Sequence, residues 1–146
     1  PGFARESLRH VEEGARAAGR DDRVFRRAGY ISFAASPNGR RAVAEARKKL
    51  AFLLRNRYLD DNIAHSGIPV DQHAIIEAMA RRDYEAAARL VPDEAVDAFA
   101  VAGTVRECCD KLAAYADAGL DELVLLPAGS LEDQRYGLSV VRELSA

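Results

Sequence analysis

The sequence predicts an α/β fold in which parallel strands alternate with helices, and three observations support this prediction. Leu123 to Leu126 is an uninterrupted apolar run, which is typical of a strand buried on both faces of a parallel sheet. An earlier run, Val24 to Ala35, combines β-forming residues with small ones. Helical patterns separate the two runs, and strands joined by helical crossovers pair in parallel. Since two strands make no sheet core, we expect a helix-rich chain with a small sheet, or a piece of something larger.

The first helix is predicted from Phe3 to Ala18, because apolar residues recur there every three or four positions. These positions are Ala4, Leu8, Val11, Ala15 and Ala18. Gly19 ends the helix, and an exposed turn follows over residues 20–23. The strand after it is clearest from Gly29 to Ala34, and Ser36-Pro37-Asn38-Gly39 breaks it.

A long helix is predicted from Arg40 to about Tyr58, with an inward stripe of Val43, Ala46, Leu50, Leu53 and Leu54. Its opposite face has Arg41, Lys48 and Arg55 at steps of seven residues. Two interpretations stay open: a solvated face whose long side chains cover apolar groups, or a docking face for an acidic partner. No aromatic residues alternate with these charges, which argues against nucleic acid.

Shorter helices are predicted in the middle of the chain, over Asp71 to Met79, Tyr84 to Leu90, and from Val91 through Phe99, with a loop at Gly67-Ile68-Pro69. The next helix begins after Thr104, which has the T-x-x-E spacing of a capping box with Glu107. Its apolar face consists of Val105, Cys108, Cys109, Leu112 and Ala116. Gly119 ends it.

The last helix is predicted from Leu131 to Leu144, and Ser130-Leu131-Glu132-Asp133 forms a second capping signature at its start. The apolar positions of this helix are Leu131, Leu138, Val141 and Leu144. Gly137 lies in its middle and weakens it, because glycine is a poor helix former.

Composition excludes several classes of protein. The 146 residues are 49% hydrophobic and 30% charged, with a net charge of −2, so bulk charge offers nucleic acid no attraction. No apolar run reaches the roughly 20 residues that span a bilayer, and the start has no signal-peptide pattern; we therefore expect a cytoplasmic protein. Cys108 and Cys109 are neighbours on one helix and are expected to pack in the core. The three histidines lack metal-ligand spacing, so no metal site is expected.

Four stretches resemble the luciferase-like monooxygenase family, and they stand in the family's order. They are Ala17 to Asp21, Val91 to Asp97, Ala102-Gly103-Thr104, and Tyr115 to Leu125. Val105 departs from the family, which commonly has proline after the Gly-Thr pair, but proline is favoured rather than required at that helix position. The family includes flavin-dependent monooxygenases and reductases that use the deazaflavin coenzyme F420.

The resemblance implies a (β/α)8 TIM barrel, of which residues 1–146 would form a single C-terminal segment. The elements would then be the sixth helix, strand 7, an elaborated helical crossover, strand 8 and the eighth helix, with strands 1–6 absent from this chain. Such barrels need about 250 residues, and the missing initiator Met fits a chain cut from a longer one. The rest of the barrel, a complementing chain or a homodimer would complete the packing.

The implied function is that of an oxidoreductase that binds FMN or coenzyme F420 and acts on a small-molecule substrate. Barrel enzymes bind ligands in the loops after their strands. The candidate cofactor-binding residues therefore lie in two loops. The loop after the first strand contains Ser36, Asn38, Gly39 and Arg40, and the loop after the second contains Gly129 and Ser130. Helix amides and a guanidinium there suit an anion, although turn formation and helix capping also explain these residue types.

No catalytic acid, base or nucleophile is identified, because adjacent carboxylates such as Asp60-Asp61 diverge on a helix. Two other functions stay open. One is a non-catalytic helical interaction module that docks an acidic partner on Arg41, Lys48 and Arg55. The other is a scaffold fragment without a ligand.

Overall fold

A computed structural model describes residues 1–21 and 25–144 and arranges them as helices around a parallel sheet. The strands are β1 (Ala28–Ala35), β2 (Ala100–Gly103) and β3 (Glu122–Pro127). The helices are α1 (Gly2–Ala17), α2 (Gly39–Leu54), α3 (Asp60–Ser66), α4 (Gln72–Ala80), α5 (Tyr84–Arg89), α6 (Asp93–Phe99), α7 (Val105–Ala116) and α8 (Leu131–Leu144), with a short 3-10 turn at Arg57–Leu59. Val24 and part of the turn predicted over residues 20–23 lie outside the described residues.

The sheet has the order β2-β1-β3, and both pairings are parallel, as predicted. In the centre, Phe33 of β1 lies opposite Val101 of β2 and Pro127 of β3. The prediction of two strands was wrong, because β2 was missed. Its four residues, AVAG, are too short and too small to show a strand pattern, and they follow α6 directly.

Helices cover both faces of the sheet. On one face Phe33 packs with Cys108 and Leu112 of α7 and with Val140 of α8. On the other face Ala34 packs with α2 and with the helices of the crossover, in a cluster that includes Ala42, Ala46, Leu50, Ile75 and Val96. Burial raises the pKa of the Cys108 thiol to about 12, which is consistent with a structural cysteine.

The capping box at Thr104 is confirmed. The Thr104 amide donates to Glu107 Oε2 at 2.7 Å, and the Thr104 hydroxyl accepts from the Glu107 amide. Gly103, just before the cap, has a φ of 150°. A Cβ there would lie 2.6 Å from Glu107 Oε2, so this junction between β2 and α7 requires glycine.

Helix α2 ends at Leu54 rather than near Tyr58, because Asn56 starts a new turn. The Asn56 side chain accepts a hydrogen bond from the Tyr58 amide at 3.1 Å. Gln72 donates to the carbonyl oxygens of Leu54 at 2.9 Å and Asn56 at 3.0 Å, and so satisfies acceptors at the end of the helix. Helix α3, which was not predicted, follows this turn.

Two expectations about burial were wrong. Residues 123–126 of β3 are half-exposed rather than buried on both faces, since β3 is an edge strand. In α8 the predicted apolar positions Leu131, Leu138, Val141 and Leu144 are all exposed. The buried residues are Asp133, Gly137 and Val140, because Gly137 lets the helix approach the ring of Phe33: a Cβ would lie 2.8 Å from Phe33 Cε1.

Helix α1 occupies its predicted place but packs only lightly. Of its predicted apolar stripe, Ala15 is buried, and Val11 is exposed. Leu8 reaches toward Gly119 at the end of α7. Within residues 1–21 and 25–144, none of the helices combines the length and the apolar character needed to cross a bilayer.

Candidate functional site

The carboxyl ends of the three strands meet at one edge of the sheet. The Ser36 amide, just after β1, donates to the Gly103 carbonyl at the end of β2 at 3.1 Å. The Ala128 amide, just after β3, donates to the Phe33 carbonyl at 2.7 Å. The two loops predicted to bind a cofactor therefore lie side by side, at the edge where parallel α/β sheets bind ligands.

In the loop after β1, two of the predicted residues shape the turn. Ser36 is buried, and its hydroxyl oxygen accepts from the Asn38 amide at 3.3 Å. The Asn38 side chain caps α2 by accepting from the Arg41 amide at 3.4 Å. These contacts are those of a turn and an N-cap, the alternative that the sequence left open.

The next two residues, Gly39 and Arg40, open into a cleft of about 620 Å³ between α2, α6 and α7. The cleft is lined by Gly39, Arg40, Val43, Ala44, Arg47, Asp93, Val96, Asp97, Ala102, Gly103, Glu107 and Lys111. Its size lies in the range of small-molecule sites. The walls combine charged side chains, including the Glu107 carboxylate close to Gly39, with small apolar ones such as Val96, and none of the described lining residues is aromatic.

Most charges in the cleft are paired within it. Arg47 pairs with Asp93, and Lys111 pairs with Asp97 at 3.0 Å. Arg40 is exposed, and among the described residues no carboxylate lies within ion-pair distance of its guanidinium. Arg40 is thus available to an anion that enters the cleft.

In the loop after β3, the predicted residue Ser130 is engaged by a neighbour. Its amide donates to Asp133 Oδ2 at 3.0 Å, and its hydroxyl donates to the same oxygen at 2.6 Å. Arg41 Nη2 also reaches Asp133 Oδ2, at 2.9 Å. An anion that used Ser130 would have to displace the Asp133 carboxylate, of which only 8% is exposed.

Asp133 and Arg41 are the residues that the sequence interpretation missed at this edge. The S-x-x-D spacing of Ser130 and Asp133 indicated a capping signature, which is confirmed by the bond from the Asp133 amide to Ser130 Oγ at 3.2 Å. Nothing in the sequence indicated Arg41 as the partner, since 92 positions separate it from Asp133. Its regular spacing with Lys48 and Arg55 suggested a solvated face instead.

That basic face has partners inside the chain. Lys48 lies 3.3 Å from Glu45 and 3.6 Å from Glu85, and the Arg55 guanidinium lies 4.2 Å above the ring of Phe52. Together with the Arg41 pair, these contacts reduce the charge available to an acidic partner. Within the described ranges, no group of three or more His, Cys, Asp or Glu side chains is placed to hold a metal ion.

The hydrogen bonds from Ser130 and the charge of Arg41 hold the pKa of Asp133 below its ordinary value of 3.8. A lowered folded-state pKa stabilises the fold above the unfolded value, and this stabilisation is lost as pH falls through the folded value. We therefore expect Asp133→Asn to unfold at lower urea than the unmodified chain at pH 6, with the difference shrinking below pH 3.8. Urea titrations at several pH values measure this, and a pH-independent difference would contradict it.

Comparison with known proteins identifies the family. The family model described as luciferase-like monooxygenase matches residues 1–122, most of the chain. The chain belongs to the luciferase-like monooxygenase family. The family resemblance of its motifs is thereby confirmed.

Two relatives of this luciferase-like chain come from Methanopyrus kandleri. A 5,10-methylenetetrahydromethanopterin reductase is 28% identical over 116 residues, which cover 79% of this chain and 33% of the relative. The solved structure of a coenzyme F420-dependent tetrahydromethanopterin reductase superposes with a TM-score of 0.78 at 24% identity, covering 94% of this chain and 40% of that chain. The chain thus shares part of that reductase's fold, and it spans well under half the length of either relative.

Proposed function

We propose that this luciferase-like chain is the C-terminal portion of a (β/α)8 barrel oxidoreductase that uses FMN or coenzyme F420. The observation that supports this proposal most is the superposition on an F420-dependent reductase. It covers nearly all of this chain and only two fifths of that reductase. The parallel pairing of β1 with β3 fits strands 7 and 8, which are neighbours in a barrel, although β2 pairs with the edge of β1 that strand 6 takes in a closed barrel. In this assignment α2 to α7, with β2, form the crossover between the two barrel strands.

Uncovered apolar surface supports the proposal that the sheet continues beyond this chain. In the described part of the chain β3 pairs with β1 on one side and with no strand on the other. Tyr30, on β1, is 75% exposed, and the outer stripe of α8 is also exposed. A free parallel edge beside apolar side chains is a surface that proteins normally cover, and further barrel strands would cover it.

This chain's share of the coenzyme site fits an anionic group. Both coenzymes have a phosphate group, and the first turn of α2 brings the Arg40 guanidinium and the Gly39 backbone to the cleft, where the Glu107 carboxylate also lies close to Gly39. None of the described residues that line the cleft is aromatic, so we assign to it the phosphate end of the coenzyme rather than the ring. When bound, the coenzyme would supply the redox chemistry, while these residues hold and orient it.

The test uses the longest reading frame that contains these 146 residues. FMN and coenzyme F420 are each titrated in oxidised form and followed by fluorescence. Saturable binding of one of them is expected, and turnover with a pterin or other small substrate would then define the reaction. Absence of saturable binding for both coenzymes would overturn the proposal.

Replacing Arg40 tests the anion assignment. Arg40→Gln removes a positive charge of the cleft that forms no ion pair with the described residues, while keeping most of the side chain, so we expect the Kd of the bound coenzyme to rise by roughly tenfold or more. Arg89→Gln is the matched control, because Arg89 is an exposed arginine at the end of α5 and does not line the cleft. Equal affinity of both variants would show that the phosphate lies elsewhere.

A further inference from the structure

Arg41, Ser130 and Asp133 form a link between α2 and α8 that we name the clasp. Arg41 lies in the first turn of α2, just after β1, and Ser130 and Asp133 lie at the start of α8, just after β3. One oxygen, Asp133 Oδ2, accepts from the Ser130 amide, the Ser130 hydroxyl and Arg41 Nη2 at 3.0, 2.6 and 2.9 Å. The clasp therefore joins the loops that follow two neighbouring strands.

The turn that holds the clasp is closely packed and hydrogen-bonded. Gly129 has a φ of 92°, and a Cβ on it would lie 3.0 Å from Asp133 Oδ2, so the backbone packs directly against the carboxylate. Ala128, one residue earlier, is hydrogen-bonded to β1. Gln134 donates to the Gly129 carbonyl at 3.2 Å. Arg41 thus binds a turn that is itself hydrogen-bonded to β1 and to α8.

We propose that Arg41 and Asp133 are positioning residues, which fix the first turn of α2 so that Gly39 and Arg40 face the cleft in the geometry that the coenzyme needs. This inference rests on the proposed function. Arg41 adjoins Arg40 in the chain, so a bond that fixes Arg41 also restricts the turn that presents the Arg40 amide and guanidinium. Small displacements of a binding group have large effects on function.

The chain contains a matched control at the opposite end of the same two strands. Asp121 lies just before β3, and Arg27 lies just before β1. The Asp121 carboxylate accepts hydrogen bonds from the Arg27 amide at 2.9 Å and from Arg27 Nε at 3.1 Å. This is also an Arg–Asp pair between the β1 and β3 segments, and hydrogen bonds to Arg27 lower the pKa of Asp121. It differs from the clasp in lying at the amino ends of the strands and in its exposure, since 40% of the Asp121 side chain is exposed against 8% for Asp133.

The experiment compares Asp133→Asn with Asp121→Asn in the longest reading frame that contains the chain. Urea unfolding and the Kd for the bound coenzyme are measured for each. Both variants are expected to lose stability, whereas the Kd rises on the order of tenfold for Asp133→Asn and stays unchanged for Asp121→Asn. Arg41→Lys is expected to restore part of the affinity that Arg41→Gln loses, since it keeps the charge without the planar fork.

Each outcome decides the proposal. If Asp133→Asn binds the coenzyme like the unmodified protein, or if Asp121→Asn loses as much affinity, the clasp has no positioning role while the proposed function stands. If the unmodified protein binds neither coenzyme, the proposed function fails and the inference fails with it. Should Asp133→Asn not fold, Arg41→Gln answers the same question, because half of the Arg41 side chain is exposed and its loss leaves the core intact.

Discussion

Leu112→Ala is expected to lower the free energy of unfolding by about 3 to 5 kcal/mol, one of the largest effects of any single truncation in this chain. Leu112 is 1% exposed, and it packs in the cluster formed with Phe33 and Val101 of the sheet and Val140 of α8. Truncation removes apolar contact and leaves a cavity that α7, held at its start by the capping box, cannot close. Urea denaturation followed by far-ultraviolet circular dichroism measures the loss.

Leu138→Ala is the matched control, because the sequence pattern predicts Leu138 as a core residue and the structure exposes 58% of it. We expect it to cost less than about 0.5 kcal/mol in the 146-residue chain, as exposed positions do. A cost equal to that of Leu112→Ala would show that α8 buries its leucine stripe after all, and that the orientation described for this helix is wrong.

Gly137→Ala is expected to destabilise the chain, although alanine is the better helix former by about 1 kcal/mol. The new methyl group would meet Phe33 Cε1 at 2.8 Å, closer than real contacts allow, and the Phe33 ring is itself buried. Overpacking of this kind costs about 1 to 3 kcal/mol. The midpoint of urea unfolding should therefore fall rather than rise.

A double-mutant cycle with Phe33→Leu separates the clash from other effects of the substitution. Phe33→Leu leaves room beside α8, so Gly137→Ala added to it should cost less than it does alone, or should stabilise the helix. If Gly137→Ala stabilises the unmodified chain by the propensity difference, α8 does not approach the sheet as closely as described.

The elements that sequence reasoning predicted well are those with local signals. Thr104 and Glu107 are three residues apart, so the helix start could be predicted without knowledge of the fold. Asn38 and Asp71, which cap α2 and α4, are similar cases. The family resemblance also rested on short motifs, and the match over residues 1–122 confirms it.

For the candidate site, the sequence predicted which loops lie together but not what each residue in them contacts. The rule that ligands bind at the carboxyl ends of parallel strands selected both loops, and the structure does place them side by side. The structure also shows that the residues of these loops have different roles. Ser36 and Asn38 shape a turn, and Ser130 is hydrogen-bonded to Asp133. Gly39 and Arg40 face the cleft. Whether these residues bind a coenzyme stays a prediction.

Sequence patterns alone thus predicted the family, the alternation of helices and strands, and the places where most helices begin. Only the folded chain revealed β2, the buried face of α8 and the clasp. The physical reason is the distance along the chain between the interacting residues. A capping box joins atoms three residues apart, whereas Arg41 and Asp133 are separated by 92 positions. Likewise, the Phe33 ring of β1 packs against Gly137 of α8, far along the sequence. Helical periodicity indicates that one face is apolar, but close packing against the sheet determines which face is buried.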